Sequence, residues 1–145
     1  MGKLSLYWKC QIIVWCVSIL SGTINYLVLP VFTTFNFYPA IFLHATIGIV
    51  FIHLMRQFIV KRKLLELNAF KKVLYLIPVT IFYSVLYSIL SNLINTFFHW
   101  ESKTFAQLGF TRATLIMAFS NFFFFGIWNL AYSFITILKR AVYRK

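Results

Sequence analysis

Three long stretches of the chain, residues 10–55, 73–100 and 113–138, contain no Asp, Glu, Lys or Arg. A helix crosses the hydrocarbon core of a bilayer with about 20 predominantly apolar residues. The second and third stretches are each long enough for one crossing, and the first is long enough for two. Within the first, Pro30 and Pro39 flank Thr33, Thr34 and Asn36, the combination that ends one helix and starts the next. The pattern predicts four membrane helices at about 11–32, 38–60, 73–98 and 113–138, joined by short connections.

Polar positions inside these stretches are few and ordered. On the third helix Thr80, Ser84, Ser88, Asn92 and Asn95 recur at steps of four, four, four and three, which draws one stripe along a helix of 3.6 residues per turn. Lipid solvates such groups poorly, so the stripe should face other helices and exchange hydrogen bonds with them. Ser18, Gly22 and Asn25 on the first helix and Asn129, Ser133 and Thr136 on the last are the natural partners. Two roles fit the stripe: hydrogen-bonded packing, or one wall of a ligand groove. His44 and His53 share the second helix nine residues apart, half a turn out of phase, and so point to opposite sides. Each reads either as a neutral packing residue or as a sensing group. Pro78 permits a kink near the start of the third helix, and Arg56 and Gln57 stand where long side chains reach the headgroups. The aromatic run Phe122 to Phe125 reads as lipid-facing bulk and packing, and Tyr7, Trp8 and Trp100 as interfacial anchors.

Composition agrees and excludes a water-soluble domain. Of the 145 residues 61% are hydrophobic and 11% charged, against about 25% charged in ordinary soluble domains, and the mean hydropathy is +0.84. Fourteen Lys and Arg face two acidic residues, Glu66 and Glu101. Twelve of those cations lie before the first helix, around the connection of the second and third, or after the fourth; only Lys103 and Arg112 fall on the other side. The positive-inside rule then places both termini in the cytoplasm. The cations border apolar spans and form no solvated basic face, so nucleic acid is not an expected partner. Cys10 and Cys16, six apart on one helix, stand about 9 Å apart along its axis, too far for a disulfide.

The chain carries no CxxC, HExxH, GxxxxGK[ST] or GxGxxG motif and no paired carboxylates, so neither a catalytic site, a metal nor a cofactor is expected. No acidic residue lies within a predicted span, which argues against a proton-coupled transporter. The first apolar stretch lacks a clean small-x-small cleavage site and reads as a retained span. Leu6 stands where a myristoylation signal wants Ser or Thr.

Tyr7-Trp8-Lys9-Cys10-Gln11 followed by Trp15 resembles the opening of the membrane region of bacterial Lyt-type sensor histidine kinases. His53-Leu54-Met55-Arg56 running into Lys61-Arg62-Lys63 is similar to their second helix and basic inner loop. Trp128-Asn129-Leu130-Ala131-Tyr132, leading to Lys139-Arg140, is similar to their last helix as it leaves the membrane. The resemblance implies the N-terminal sensor region of a longer chain, in the bacterial cytoplasmic membrane. It implies a homodimer whose last helix signals to a cytoplasmic kinase domain and, through it, to a response regulator. The phospho-accepting His motif and ATP-binding lobe of that family have no counterpart here, so the segment is itself no enzyme. The expected fold is an all-α integral membrane four-helix bundle, with His44, Ser84, Ser88, Asn92, Asn95 and Asn129 as candidate sensing or packing residues. The alternative is a self-contained small membrane protein, either a pore-forming oligomer or an accessory subunit.

Overall fold

The computed structural model describes residues 5–28, 37–100 and 103–143. All regular structure among them is helical: α1 (Leu6–Val28), α2 (Phe37–Lys61), α3 (Ala69–Phe97), the short α4 (Lys103–Leu108) and α5 (Phe110–Tyr143), with one 3-10 turn at Leu64–Glu66. Three segments are long and apolar enough to cross a membrane, Pro39–Lys61, Ala69–Phe97 and Phe110–Leu138; α1 adds a shorter apolar run, Tyr7–Leu20.

The helices outrun the charge-free stretches, and the starts of α1 and α3 show local bonds that set them. In α1 the first turn begins where the Lys9 amide donates to the Ser5 carbonyl (3.1 Å), five residues before the predicted start, with the exposed Lys9 inside the helix. In α3 the side chain of Asn68 accepts the Lys71 amide (3.0 Å), an N-cap that sets the start at Ala69 instead of residue 73. Lys71 and Lys72 therefore ride in its first turn. The absence of charge marks the hydrocarbon, whereas capping marks the helix, and the two borders differ by about a turn. Pro39 sits in the first turn of α2, where its lacking N–H costs nothing. The predicted end of the first helix at Phe32 and the break from Pro30 to Asn36 lie outside the described residues.

The packing inverts that of a water-soluble bundle. Along α3 the buried residues are Leu76, Thr80, Ser84, Ser88, Ser91 and Asn92, while Ile77, Ile81, Phe82, Leu86 and Leu93 are exposed. Where the surroundings are as apolar as leucine, burying leucine gains little; close approach and hydrogen bonding hold helices together instead. This polar face makes α3 lie along α5, the most extensive helix pairing of the structure, and α2 packs between α1 and α3. An apolar core does exist, at the end that carries Lys9, Lys61 and Lys72. There Ile52, Met55 and Ile59 of α2 meet Leu64, Leu76, Phe125, Trp128 and Tyr7. This is called the basic end below, and the opposite one the far end.

Candidate functional site

Three rungs join α3 to α5, and each has the same chemistry. Asn129 Nδ2 donates to Thr80 Oγ1 (2.7 Å), Asn121 Nδ2 to Ser88 Oγ (2.9 Å), and Asn92 Nδ2 to Thr114 Oγ1 (2.8 Å). Each hydroxyl spends its own proton on the carbonyl four residues back, Thr80 on Leu76, Ser88 on Ser84 and Thr114 on Phe110, all at 2.7–2.8 Å. Its oxygen is then an acceptor only, and the matching group across the interface has to be an N–H donor. Asn supplies one without bringing a charge into the bundle. Asn129 also reaches Met55 Sδ of α2 (3.5 Å), and Asn92 the Phe110 carbonyl (3.1 Å).

Alongside the rungs, a cavity of about 330 Å³ runs from the far end to the edge of the apolar core, among α1, α2, α3 and α5. His44 stands in its wall and its Nε2–H donates to Asn95 Oδ1 (2.7 Å). The Tyr87 hydroxyl donates to the backbone carbonyl of His44 (3.1 Å), a second tie between α2 and α3. Gly48 leaves room for the Tyr87 ring, whose atoms stand 3.8 Å from where a Cβ would lie. From α1 come Trp15 and Ser18, and from α5 Asn121 and Phe125. The indole N–H of Trp15 is buried, with no acceptor among the described residues. Trp100 reaches the cavity because α3 ends in a reversed turn: His99 takes a left-handed conformation (φ 54), and the Trp100 amide donates back to Asn95 O (2.8 Å). Trp100 stacks on Phe98, with ring centroids 4.6 Å apart. The lining is mostly apolar, carries a few polar groups and has no charged side chain, a composition suited to a small neutral ligand.

The basic end is closed by a cage of rings. Gln57 Nε2 donates to His53 Nε2 (2.9 Å), which leaves Nδ1–H of His53 to donate to the Tyr7 hydroxyl (2.9 Å); Gln11 Nε2 donates to the same oxygen (2.9 Å). Trp8 stacks on His53, and Trp128 on Tyr132. The guanidinium of Arg56 lies 4.1 Å above the centre of the Tyr7 ring and 5.6 Å from that of Tyr132, and its Nε–H donates to the Tyr132 hydroxyl (3.1 Å). Arg56, expected to extend to the headgroups, thus folds onto Tyr7 of α1 and Tyr132 of α5, while Gln57 stays exposed and bonds within its own helix.

The candidate residues separate accordingly. Ser88, Asn92 and Asn129 form rungs, and Ser84 accepts from Ser88 through its carbonyl while its hydroxyl donates to Ile81 O (2.9 Å). His44 and Asn95 belong to the cavity. Among the described residues no hydrogen bond links the stripe to α1: Ser18 lines the cavity, and the surroundings of Gly22 and of the Asn25 side chain lie outside what is described. Thr136 bonds within its own helix, to Tyr132 O. Sequence reasoning passed over Asn121 and Thr114, although Thr114 and Asn121 stand seven apart and Asn129 eight further on, close to a two-turn repeat. It also passed over Trp15 and Tyr87 as cavity residues, hidden among the many other aromatic residues of the chain, 21% of the whole. The expected bulk of Phe122 to Phe125 divides, with Phe125 only 1% exposed and Phe123 turned outward. No group of His, Cys and acidic residues among those described is placed to hold a metal ion. Compared with protein families, with curated proteins and with solved structures, the chain matches none.

Proposed function

We propose that the chain is a membrane-embedded input domain, which binds a small neutral ligand in the far-end cavity and passes the event along α5 to a cytoplasmic histidine kinase domain. In this reading it crosses the bacterial cytoplasmic membrane four times with both ends inside, acts as a homodimer, and signals to a response regulator through the kinase. The single observation that carries it is the cavity, which takes side chains from α1, α2, α3 and α5 together. A molecule there touches all four long helices at once, and α5 runs from that contact without a break to Tyr143. The rungs couple α3 to α5 in discrete hydrogen bonds, so a change in register between them has defined alternatives, as a helix-shift output requires. The resemblance of residues 7–15, 53–63 and 128–140 to Lyt-type sensors supports the same role, and the distribution of cations supports the orientation.

The unpaired Trp15 N–H and the uncharged lining narrow the ligand to a mostly apolar molecule with one hydrogen-bond acceptor. The decisive experiment reads the gene downstream of codon 145 and measures autophosphorylation of the product in proteoliposomes. A kinase domain in frame, with activity altered by Trp15→Phe and His44→Phe, is the expected result. A stop codon in that place removes the sensor reading in favour of a self-contained small membrane protein.

A further inference from the structure

Tyr132 joins two features of the basic end that the input reading does not use. Its hydroxyl accepts Nε–H of Arg56, and its ring helps to line a groove of about 380 Å³ between α1 and α5. Cys10, Ile13 and Val17 form one wall of that groove, Ile127 and Ala131 the other, and the lining is almost wholly apolar. On α5 it runs from Phe124 to Ile135, about 16 Å at 1.5 Å per residue, close to the ~15 Å of one hydrocarbon leaflet.

Arg56 is half-buried, and its interactions with the described residues are two aromatic rings and one phenol. Cation–π contact stabilises the charge without consuming N–H donors, and no acceptor among the described residues takes the terminal N–H groups. The chain has two acidic residues in all, and Glu66 is exposed in the 3-10 turn. A half-buried guanidinium with unused terminal donors, joined through Tyr132 to a leaflet-length apolar groove, matches the two parts of a phospholipid.

We propose that the basic end binds one anionic phospholipid, its phosphate hydrogen-bonded to the terminal N–H groups of Arg56 and one acyl chain laid along the groove between α1 and α5. A second copy of the chain fits less well, because the apolar face it would bring carries no anion for Arg56. The site does not depend on the ligand cavity or on a kinase.

Native mass spectrometry of the purified full chain in mild detergent tests it, with phosphatidylglycerol and phosphatidylcholine of identical acyl chains as probes. The expected result is one retained phosphatidylglycerol held about tenfold more tightly than phosphatidylcholine, the increment of a charge-assisted contact. Arg56→Gln should abolish the preference. Ala131→Trp, at an exposed position that fills the groove, should weaken retention of both lipids while circular dichroism stays unchanged. Equal retention of the two lipids by the wild type, or an undiminished preference in Arg56→Gln, overturns the proposal. So does an Ala131→Trp variant that keeps its lipid but changes from dimer to monomer, since the groove then belongs to a second copy.

Discussion

His44 and His53 occupy one helix nine residues apart and serve opposite ends of the protein. At the far end, His44 faces α3, and its hydrogen bond to Asn95 borders a cavity with an indole N–H left unpaired. At the basic end, His53 faces α1, bonded through both ring nitrogens to Tyr7 and Gln57 and stacked on Trp8, at the edge of the ring cluster centred on Tyr7. The same side chain lines a cavity in one place and borders a packed ring cluster in the other. What differs is the company: the basic end gathers large rings that fill space, and the far end spends its surface on Gly48, Ala40 and Ala45. A helical membrane protein can thus hold one end rigid by aromatic packing and leave the other receptive.

If that division is right, the largest loss of stability comes from the cage. Tyr7→Ala removes a ring that meets His53, Trp8, Trp128 and Tyr132 and leaves Arg56, Gln11 and His53 without their shared partner. A cost of about 3 to 5 kcal/mol is expected from such a truncation, measured by reversible unfolding in mixed micelles. His44→Phe at the far end should cost about 1 kcal/mol, one hydrogen bond. Equal costs at the two ends would erase the comparison.

The rungs between the ends come next. A double-mutant cycle of Asn129→Leu with Thr80→Val isolates the amide-to-hydroxyl bond, since both changes nearly keep volume. A coupling of about 0.6 to 2 kcal/mol is expected, the range found for hydrogen bonds between membrane helices. A coupling near zero would leave the stripe as close packing alone.

The stripe on α3 was readable in the sequence because hydroxyl and amide groups stand out against an apolar background, and their period names the helix face. Its partner on α5 was half readable: Asn129 was anticipated, whereas Asn121 and Thr114 carry no mark until the antiparallel register of the two helices is known. The cage was invisible for a different reason. Tyr7 and Trp8 look in sequence like interfacial anchors, and only the packing of α1 against α2 and α5 sets them with Trp128 and Tyr132 around Arg56. The helix ends were misjudged by about a turn wherever capping, as at Asn68, and not hydrophobicity decides where the backbone coils. The cavity was foreshadowed only at His44 and Asn95; the rest of its lining, Gly48 and two alanines of α2 beside aromatic and amide side chains of α1, α3 and α5, carries no mark in the sequence until the four helices come together.

A smaller effect tests how the far end is closed. His99 holds a left-handed conformation that an L-residue adopts at a cost of roughly 1 kcal/mol and glycine adopts freely. His99→Gly should therefore stabilise the protein by about 1 kcal/mol while leaving Trp100 against the cavity. An unaltered Trp100 emission, isolated in a background where Trp8, Trp15 and Trp128 are phenylalanine, checks the second half of that statement. Destabilisation by this change would mean that the imidazole, exposed in this structure, has a partner of its own.

Gly48 gives the smallest change in stability and the sharpest separation of the two ends. A Cβ at this position meets the Tyr87 ring at ordinary van der Waals distance, and alanine in a helix interior is favoured over glycine by about 0.5 to 1 kcal/mol. Gly48→Ala should then be neutral or slightly stabilising, with the Tyr87 to His44 bond kept. Gly48→Leu extends further, into the cavity, where its added methyl groups take up volume that a ligand would need. Its effect on unfolding should stay within about 1 kcal/mol, because the side chain enters open space and not a filled core. Ligand-dependent signalling, by contrast, should fall at least about tenfold, a loss of about 1.4 kcal/mol in binding. The matching change at the basic end, Ile59→Ala, should do the reverse: it removes a side chain that is 1% exposed and stands outside the cavity lining, costs about 2 to 5 kcal/mol, and leaves ligand response intact in whatever fraction remains folded. Two substitutions on the same helix, one silent in stability and one silent in signalling, follow from an α2 that lines a receptive cavity at one end and fills a core at the other.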